Sequence, residues 1–203
     1  MMLKTVMGAA IVAAALSLTP AARAAAGDPM AAVKDTVNQV LAIVSNPSYK
    51  SAQSQERDKL RAVVAPRFDF SDMARSAMGY HWRNLSQAQR EQFVNVFTRL
   101  LEASYMGKIE SYNGQKIDYV KQTQDGDYAE VFTNIVQSGA EPISVNYRLK
   151  LVNGSWKVYD VLIDHISLVG NYRNQFTRIM NEKGYDQLVN LIKKKEQSID
   201  TGT

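Results

Sequence analysis

Ile143-Ser144-Val145-Asn146-Tyr147-Arg148-Leu149-Lys150-Leu151-Val152-Asn153-Gly154-Ser155-Trp156-Lys157-Val158 reads as two strands folded back on one another. Ile143, Val145, Tyr147, Leu149 and Leu151 alternate with Ser144, Asn146, Arg148 and Lys150, the period-two pattern of a strand with one buried face. Asn153-Gly154 supplies the two residues that most readily take positive φ, which a two-residue hairpin turn requires. Trp156 to Ile163 is then the returning strand. Upstream, Ile117-Asp118-Tyr119-Val120 opens a strand, Asp125-Gly126 marks a tight turn, and Tyr128 to Val136 is a second strand. Four strands joined by short turns form an antiparallel meander.

Helical periodicity flanks these strands on both sides. Met30, Val33, Val37, Val40, Leu41 and Val44 share one helix face that ends before Asn46-Pro47. Glu56 to Val64 and Ser71 to Met78 are shorter helices, the first stopped by Pro66 and the second by Gly79. Ser86-Gln87-Ala88-Gln89 is a capping box, from which Phe93, Val96, Phe97, Leu100, Leu101 and Tyr105 run at spacings of three and four. After the strands, a helix over Leu168 to Lys183 is capped by Gly184, and Asp186 opens another through Lys194. The fold class is α+β: a four-stranded twisted antiparallel sheet wrapped by several helices.

The N-terminus carries an export signal. Lys4 precedes an uncharged apolar run from Val6 to Leu18, Thr19-Pro20 breaks it, and Ala22-Arg23-Ala24 is a small-x-small cleavage site. The run spans 13 residues, short of the ~20 that cross a bilayer. The expected organisation is a signal peptide over 1–24 (Ala26 is the alternative cut), one domain over 25–195, and a disordered polar tail over 196–203. The chain has no cysteine, so it has neither disulfides nor the lipidated residue of a bacterial lipoprotein. A soluble periplasmic protein is the expectation.

Charge and motifs exclude several function classes. Loss of Lys4 and Arg23 takes the formal net charge from +4 to +2, too balanced for nucleic acid. Lys193-Lys194-Lys195 ends a predicted helix, where cations meet the negative end of its dipole. There is no phosphate-cradling glycine loop, no G-x-S-x-G elbow and no H-E-x-x-H. The two histidines, His81 and His165, lack a third ligand, so no metal or other cofactor is expected. Asp160 and Asp164 fall on one side of the last strand as a possible carboxylate pair, and Asp160, with Tyr147 or Tyr159, is the stronger acid/base candidate. It alternates with apolar Trp156, Val158 and Leu162, and a structural role outweighs a catalytic one.

Apolar residues are more informative. Tyr147, Leu149, Trp156, Val158, Val161 and Ile163 come from the last two strands. Phe93, Phe97, Leu100, Leu101 and Tyr105 come from the long helix, and Ile166, Leu168, Val169, Tyr172 and Phe176 follow the sheet. Met73 and Met78, with Met106, are unbranched and adaptable. Periodicity alone does not distinguish a filled core from a gap between sheet and helices.

Seven short blocks carry a family resemblance. Phe68-Asp69-Phe70, Met73-Ala74-Arg75, Gly79-Tyr80-His81-Trp82-Arg83 and the helix start Gln89 to Phe97 are similar to the MlaC-type toluene-tolerance family. So are Val145-Asn146-Tyr147-Arg148 with Gly154-Ser155-Trp156-Lys157-Val158-Tyr159-Asp160-Val161, and Ser167-Leu168-Val169-Gly170-Asn171-Tyr172-Arg173-Asn174-Gln175-Phe176. The likeness extends from about Asp28 to Lys194, with every block in order. It implies a non-enzymatic periplasmic phospholipid carrier with an NTF2-like arrangement around an apolar cavity. Its implied partners are an outer-membrane lipoprotein with a porin and an inner-membrane MCE-domain protein of an ABC transporter. The pocket would draw on the apolar residues above, with Arg75, Arg83, Arg148 and Arg173 as headgroup or docking contacts. Two positions depart from the family: His165 stands where glycine is usual, and Gly170 where a bulkier residue is common. A branch of the family is associated with hopanoid-related lipids, which is the alternative cargo.

Overall fold

The computed structural model describes residues 27–49 and 51–201, so the export segment 1–24 lies outside the described residues. Strands β1 (Lys116–Asp125), β2 (Tyr128–Val136), β3 (Ile143–Val152), β4 (Ser155–Ile163) and β5 (Ile166–Ser167) form one antiparallel sheet in chain order. Helices α1 (Pro29–Val44), α2 (Gln53–Val64) and α3 (Phe70–Met78) precede it. A 3-10 turn (Gly79–Asn84) then leads to α4 (Gln87–Glu110), and α5 (Leu168–Thr201) follows the sheet.

Local signals account for most of these boundaries. Asn153 and Gly154 take φ of 50° and 78°, so β3 and β4 meet through the expected turn. The capping box forms in full: Gln89 N–H donates to Ser86 Oγ at 3.2 Å, and Ser86 N–H donates to Gln89 Oε1 at 2.9 Å. Asp28 Oδ2 accepts from Ala31 N–H at 3.2 Å and caps α1. Gly184, at φ 78°, interrupts α5 and divides it into two helical stretches.

Three features differ from the sequence reading. The sheet has a fifth strand, because Ile163 pairs with Ile166 across a tight turn at Asp164-His165. A pair that short leaves no periodic trace. The region from Glu196 is helical through Thr201 rather than a disordered tail. Glu196 lies 3.3 Å from Arg99 of α4, and Ile192 one turn earlier is buried in the helical core, so tertiary contacts hold these turns. The third difference is a β-bulge. Arg148 pairs with Asp160, but Leu149 pairs with Val158, so Tyr159 is the extra residue. The bulge reverses side-chain parity along β4. Val161 and Ile163 join Trp156 and Val158 on the apolar face, whereas Asp160 is turned away from them.

Most buried apolar side chains among the described residues fall into two clusters. One lies among α3, α4 and α5 and is built around Phe93, Phe97, Tyr172 and Phe176, whose rings meet edge-on or stacked at 5.3–5.8 Å. The other joins the apolar sheet face to Val33 of α1 and includes Val131, Leu149, Trp156 and Val158. Phe68 packs against both clusters and stacks on Phe70 at 5.6 Å. A domain ordinarily builds one contiguous core. Among the described residues there are two, and Phe68 touches both.

Candidate functional site

Register places Tyr147 at the centre of the apolar face, opposite Val131 on β2 and Val161 on β4. Its environment is unusual. Protein surrounds it deeply enough to push its hydroxyl up to about 12 by desolvation, with Tyr119 adding to the effect. The residue nevertheless keeps accessible surface. Tyr147 is thus enclosed by protein without being fully sealed by it. Tyr119, Ile135, Leu151 and Ile163 on the sheet, with Met30 and Val37 of α1, share this half-buried state around the same cluster.

The residues singled out from sequence divide by this criterion. Met73, Met78, Phe93, Phe97, Leu100, Leu101, Leu168, Val169, Tyr172 and Phe176 come together in the helical cluster and are buried there, with Tyr105 partly buried against them. Having little free surface, they would meet a ligand only if the helices part. Leu149, Trp156 and Val158 are equally well sealed within the sheet cluster, Val158 at 1% exposure. Val161, at 9%, is buried on the same sheet face, where Tyr147 and Ile163 are half-buried and keep accessible surface. Ile166 departs from its expected place: it is 65% exposed, because the two-residue β5 carries it to the rim of the sheet.

Tyr119, Ile135, Met30 and Val37 share the half-buried surroundings of Tyr147 and are absent from the pocket expected from sequence. The bulge between Tyr119 and Lys121 leaves Val120 unpaired and breaks the alternation that would have aligned Tyr119 with its neighbours. In α1 the apolar stripe is legible, but not which strand it covers.

Three of the four arginines are engaged. Arg75 pairs with Asp72. Arg148 lies between Glu130 at 3.4 Å and Asp160 at 3.6 Å. Arg173 Nε donates to the Ser76 carbonyl at 2.6 Å, while its aliphatic stem passes Gly79. Arg83 is exposed, and its guanidinium has no hydrogen bond or ion pair among the described residues.

The carboxylate considered for acid/base chemistry is built into a helix start. Asp160 Oδ1 accepts from Val169 N–H at 3.1 Å and Oδ2 from Ser167 Oγ at 2.7 Å. Tyr147 and Tyr159 are not among its hydrogen-bond partners. His81 stacks on Tyr80 at 4.0 Å, and its Nε2 is buried without a partner. Among the described residues no group of three His, Asp or Glu side chains could hold a metal ion, and no helix is long and apolar enough to cross a membrane.

Comparison with known proteins places this geometry. The chain is 28% identical over 149 residues to the intermembrane phospholipid transport system binding protein MlaC of Haemophilus influenzae, covering 69% of this chain and 70% of that protein. It is 27% identical over 175 residues to the toluene tolerance protein ttg2D of Pseudomonas putida, covering 84% and 81%. A phospholipid-binding protein from Ralstonia solanacearum, solved in complex with a phospholipid, superposes with a TM-score of 0.78 at 28% identity. That match covers 86% of this chain and 99% of the solved one. The profile of the MlaC protein family matches residues 34–194, and the chain belongs to that family.

Proposed function

We infer that this protein binds a phospholipid between its apolar sheet face and its helices and carries it through the periplasm. The observation that carries the reading is the state of Tyr147, enclosed by protein yet retaining surface on the apolar face of the sheet. The phospholipid complex of the Ralstonia relative supports it. The protein is a lipid-binding transport protein and not an enzyme, and Asp160 serves the fold.

The physical demand is large. At ~0.8 kcal/mol per methylene, two long acyl chains carry roughly 20 kcal/mol of transfer free energy against crossing water. A carrier must replace bilayer contacts almost completely and still release its cargo. Interior walls such as Tyr147, Val161 and Ile163 supply the first requirement. Phe68, which touches both cores, is the natural hinge for the second, since opening between them would bare the lipid without disrupting either core.

The finer assignment is exchange with an outer-membrane lipoprotein–porin complex at one end and an inner-membrane MCE-domain protein of an ABC transporter at the other, maintaining lipid asymmetry of the outer membrane. Arg83, exposed and unpaired, is the candidate docking cation. The test is transfer of a fluorescent phospholipid between two vesicle populations separated by a dialysis membrane that passes the protein. Transfer that rises with protein concentration supports the carrier, and transfer equal to the protein-free control refutes it.

A further inference from the structure

Two phenols face the interior without intramolecular partners. Tyr119 Oη is buried and has no hydrogen-bond partner, and Tyr147 makes no side-chain hydrogen bond among the described residues. The register sets Tyr119 opposite Thr133 and Tyr147 opposite Val131, so the two lie on one face of the sheet, two strands apart. They are near enough for charge on Tyr119 to act on Tyr147. Thr133, opposite Tyr119, directs its hydroxyl to the Val145 carbonyl at 2.5 Å and is bonded to neither phenol. Above the ring of Tyr119, Lys34 Nζ of α1 lies 5.6 Å from the centroid and is exposed.

A buried hydroxyl left unpaired is costly, and phenylalanine would fill the same volume without the cost. A phenol at such a position is explained if the ligand brings an acceptor. Hydrocarbon chains have none. The polar group of a glycerolipid nearest its chains is the ester carbonyl, a strong acceptor that sits a few bonds from the phosphate. The neighbourhood matches that chemistry: an exposed ammonium, an orphan phenol and apolar side chains stand side by side.

We propose that Tyr119, assisted by Tyr147, donates a hydrogen bond to an acyl ester carbonyl of the bound lipid and so selects ester-linked glycerolipids over ether-linked or purely hydrocarbon cargo. This rests on the phospholipid-carrier reading above. The interaction adds a polar recognition element inside a pocket that otherwise recognises length and volume alone.

The experiment compares binding of diacyl phosphatidylglycerol with that of its dialkyl ether analogue of equal chain length, each presented in vesicles to wild-type protein, Tyr119→Phe and Tyr147→Phe. Wild type should retain the diacyl lipid about fivefold to tenfold better than the diether, the range of one neutral hydrogen bond. Tyr119→Phe should erase that preference by bringing diacyl binding down toward that of the diether, and Tyr147→Phe should reduce it in part. Equal binding of both lipids by wild type, or an undiminished preference in Tyr119→Phe, overturns the proposal while leaving the carrier reading intact. If wild type binds neither lipid, the carrier reading itself fails. Circular dichroism verifies that the Phe variants are folded, as expected for removal of one oxygen.

Discussion

Asp160 and Ser167 are joined by a 2.7 Å hydrogen bond in which the serine hydroxyl donates to the carboxylate. Ser167 Oγ in turn accepts from Gly170 N–H at 2.9 Å, so a sheet residue orients the cap that starts α5. A β-carbon at Gly170 would stand 3.0 Å from that same hydroxyl, which accounts for a glycine where bulk is common. Asp160→Ala removes the acceptor for two hydrogen bonds at 6% exposure and should cost about 2–4 kcal/mol in urea unfolding, with Asp160→Asn losing about half as much. A loss within the ~0.5 kcal/mol of an ordinary surface substitution would show the cap to be ornamental.

The turn at Asp164-His165 holds both residues at positive φ, His165 at 66°. A β-carbon is strained there by about 1 kcal/mol or more, and glycine is not. His165→Gly should therefore raise the thermal midpoint by a few degrees, read by circular dichroism, despite the added freedom of the unfolded chain. A lowered midpoint would show that the imidazole makes up for the strain.

Glu110 links α4 to α2 and to Tyr49. It accepts from Arg57 Nε at 2.6 Å and from the Tyr49 hydroxyl at 2.7 Å. Hydrogen bonding from Arg57, opposed by desolvation and helped by Tyr49, holds its pKa at about 2 instead of 4.5. A depressed carboxylate stabilises fully above its unfolded pKa and loses that contribution as pH falls through the folded value. Stability of the wild type should thus decline between about pH 4.5 and 2 from this group, and the decline should be shallower in Glu110→Gln. Superimposable stability–pH curves for the two proteins would contradict the assignment.

Wall and core residues separate by substitution. Val158 is sealed against its neighbours, so Val158→Trp should overpack the sheet cluster and destabilise by about 1–3 kcal/mol or more. Ile163 is half-buried on the apolar sheet face, so on the carrier reading Ile163→Trp should fold normally and carry less lipid, measured by phosphorus per mole of purified protein. Full lipid content in a folded Ile163→Trp variant would remove that side chain from the pocket.

Much of this architecture is written locally. Asn153-Gly154 dictates a turn by backbone sterics, and Ser86 with Gln89 dictates a helix start through two reciprocal bonds, so both are legible without knowing the fold. The bulge at Tyr159 is not, because an unpaired residue is defined by the partner strand. That single insertion moves Asp160 off the apolar face and Val161 onto it, which decides which of them can line a pocket. Wall and core are indistinguishable for the same reason. Tyr147 and Phe97 are both large inward-facing aromatics, and only the packing of distant elements leaves surface on one and none on the other.

The central claim is that the interior holds a phospholipid, and native mass spectrometry of protein purified without detergent tests it most directly. The account predicts a dominant species heavier than the processed chain by the mass of one phospholipid, and organic extraction should yield that lipid at about one per protein. A folded protein that flies at the bare chain mass, with no lipid in the extract, would contradict it.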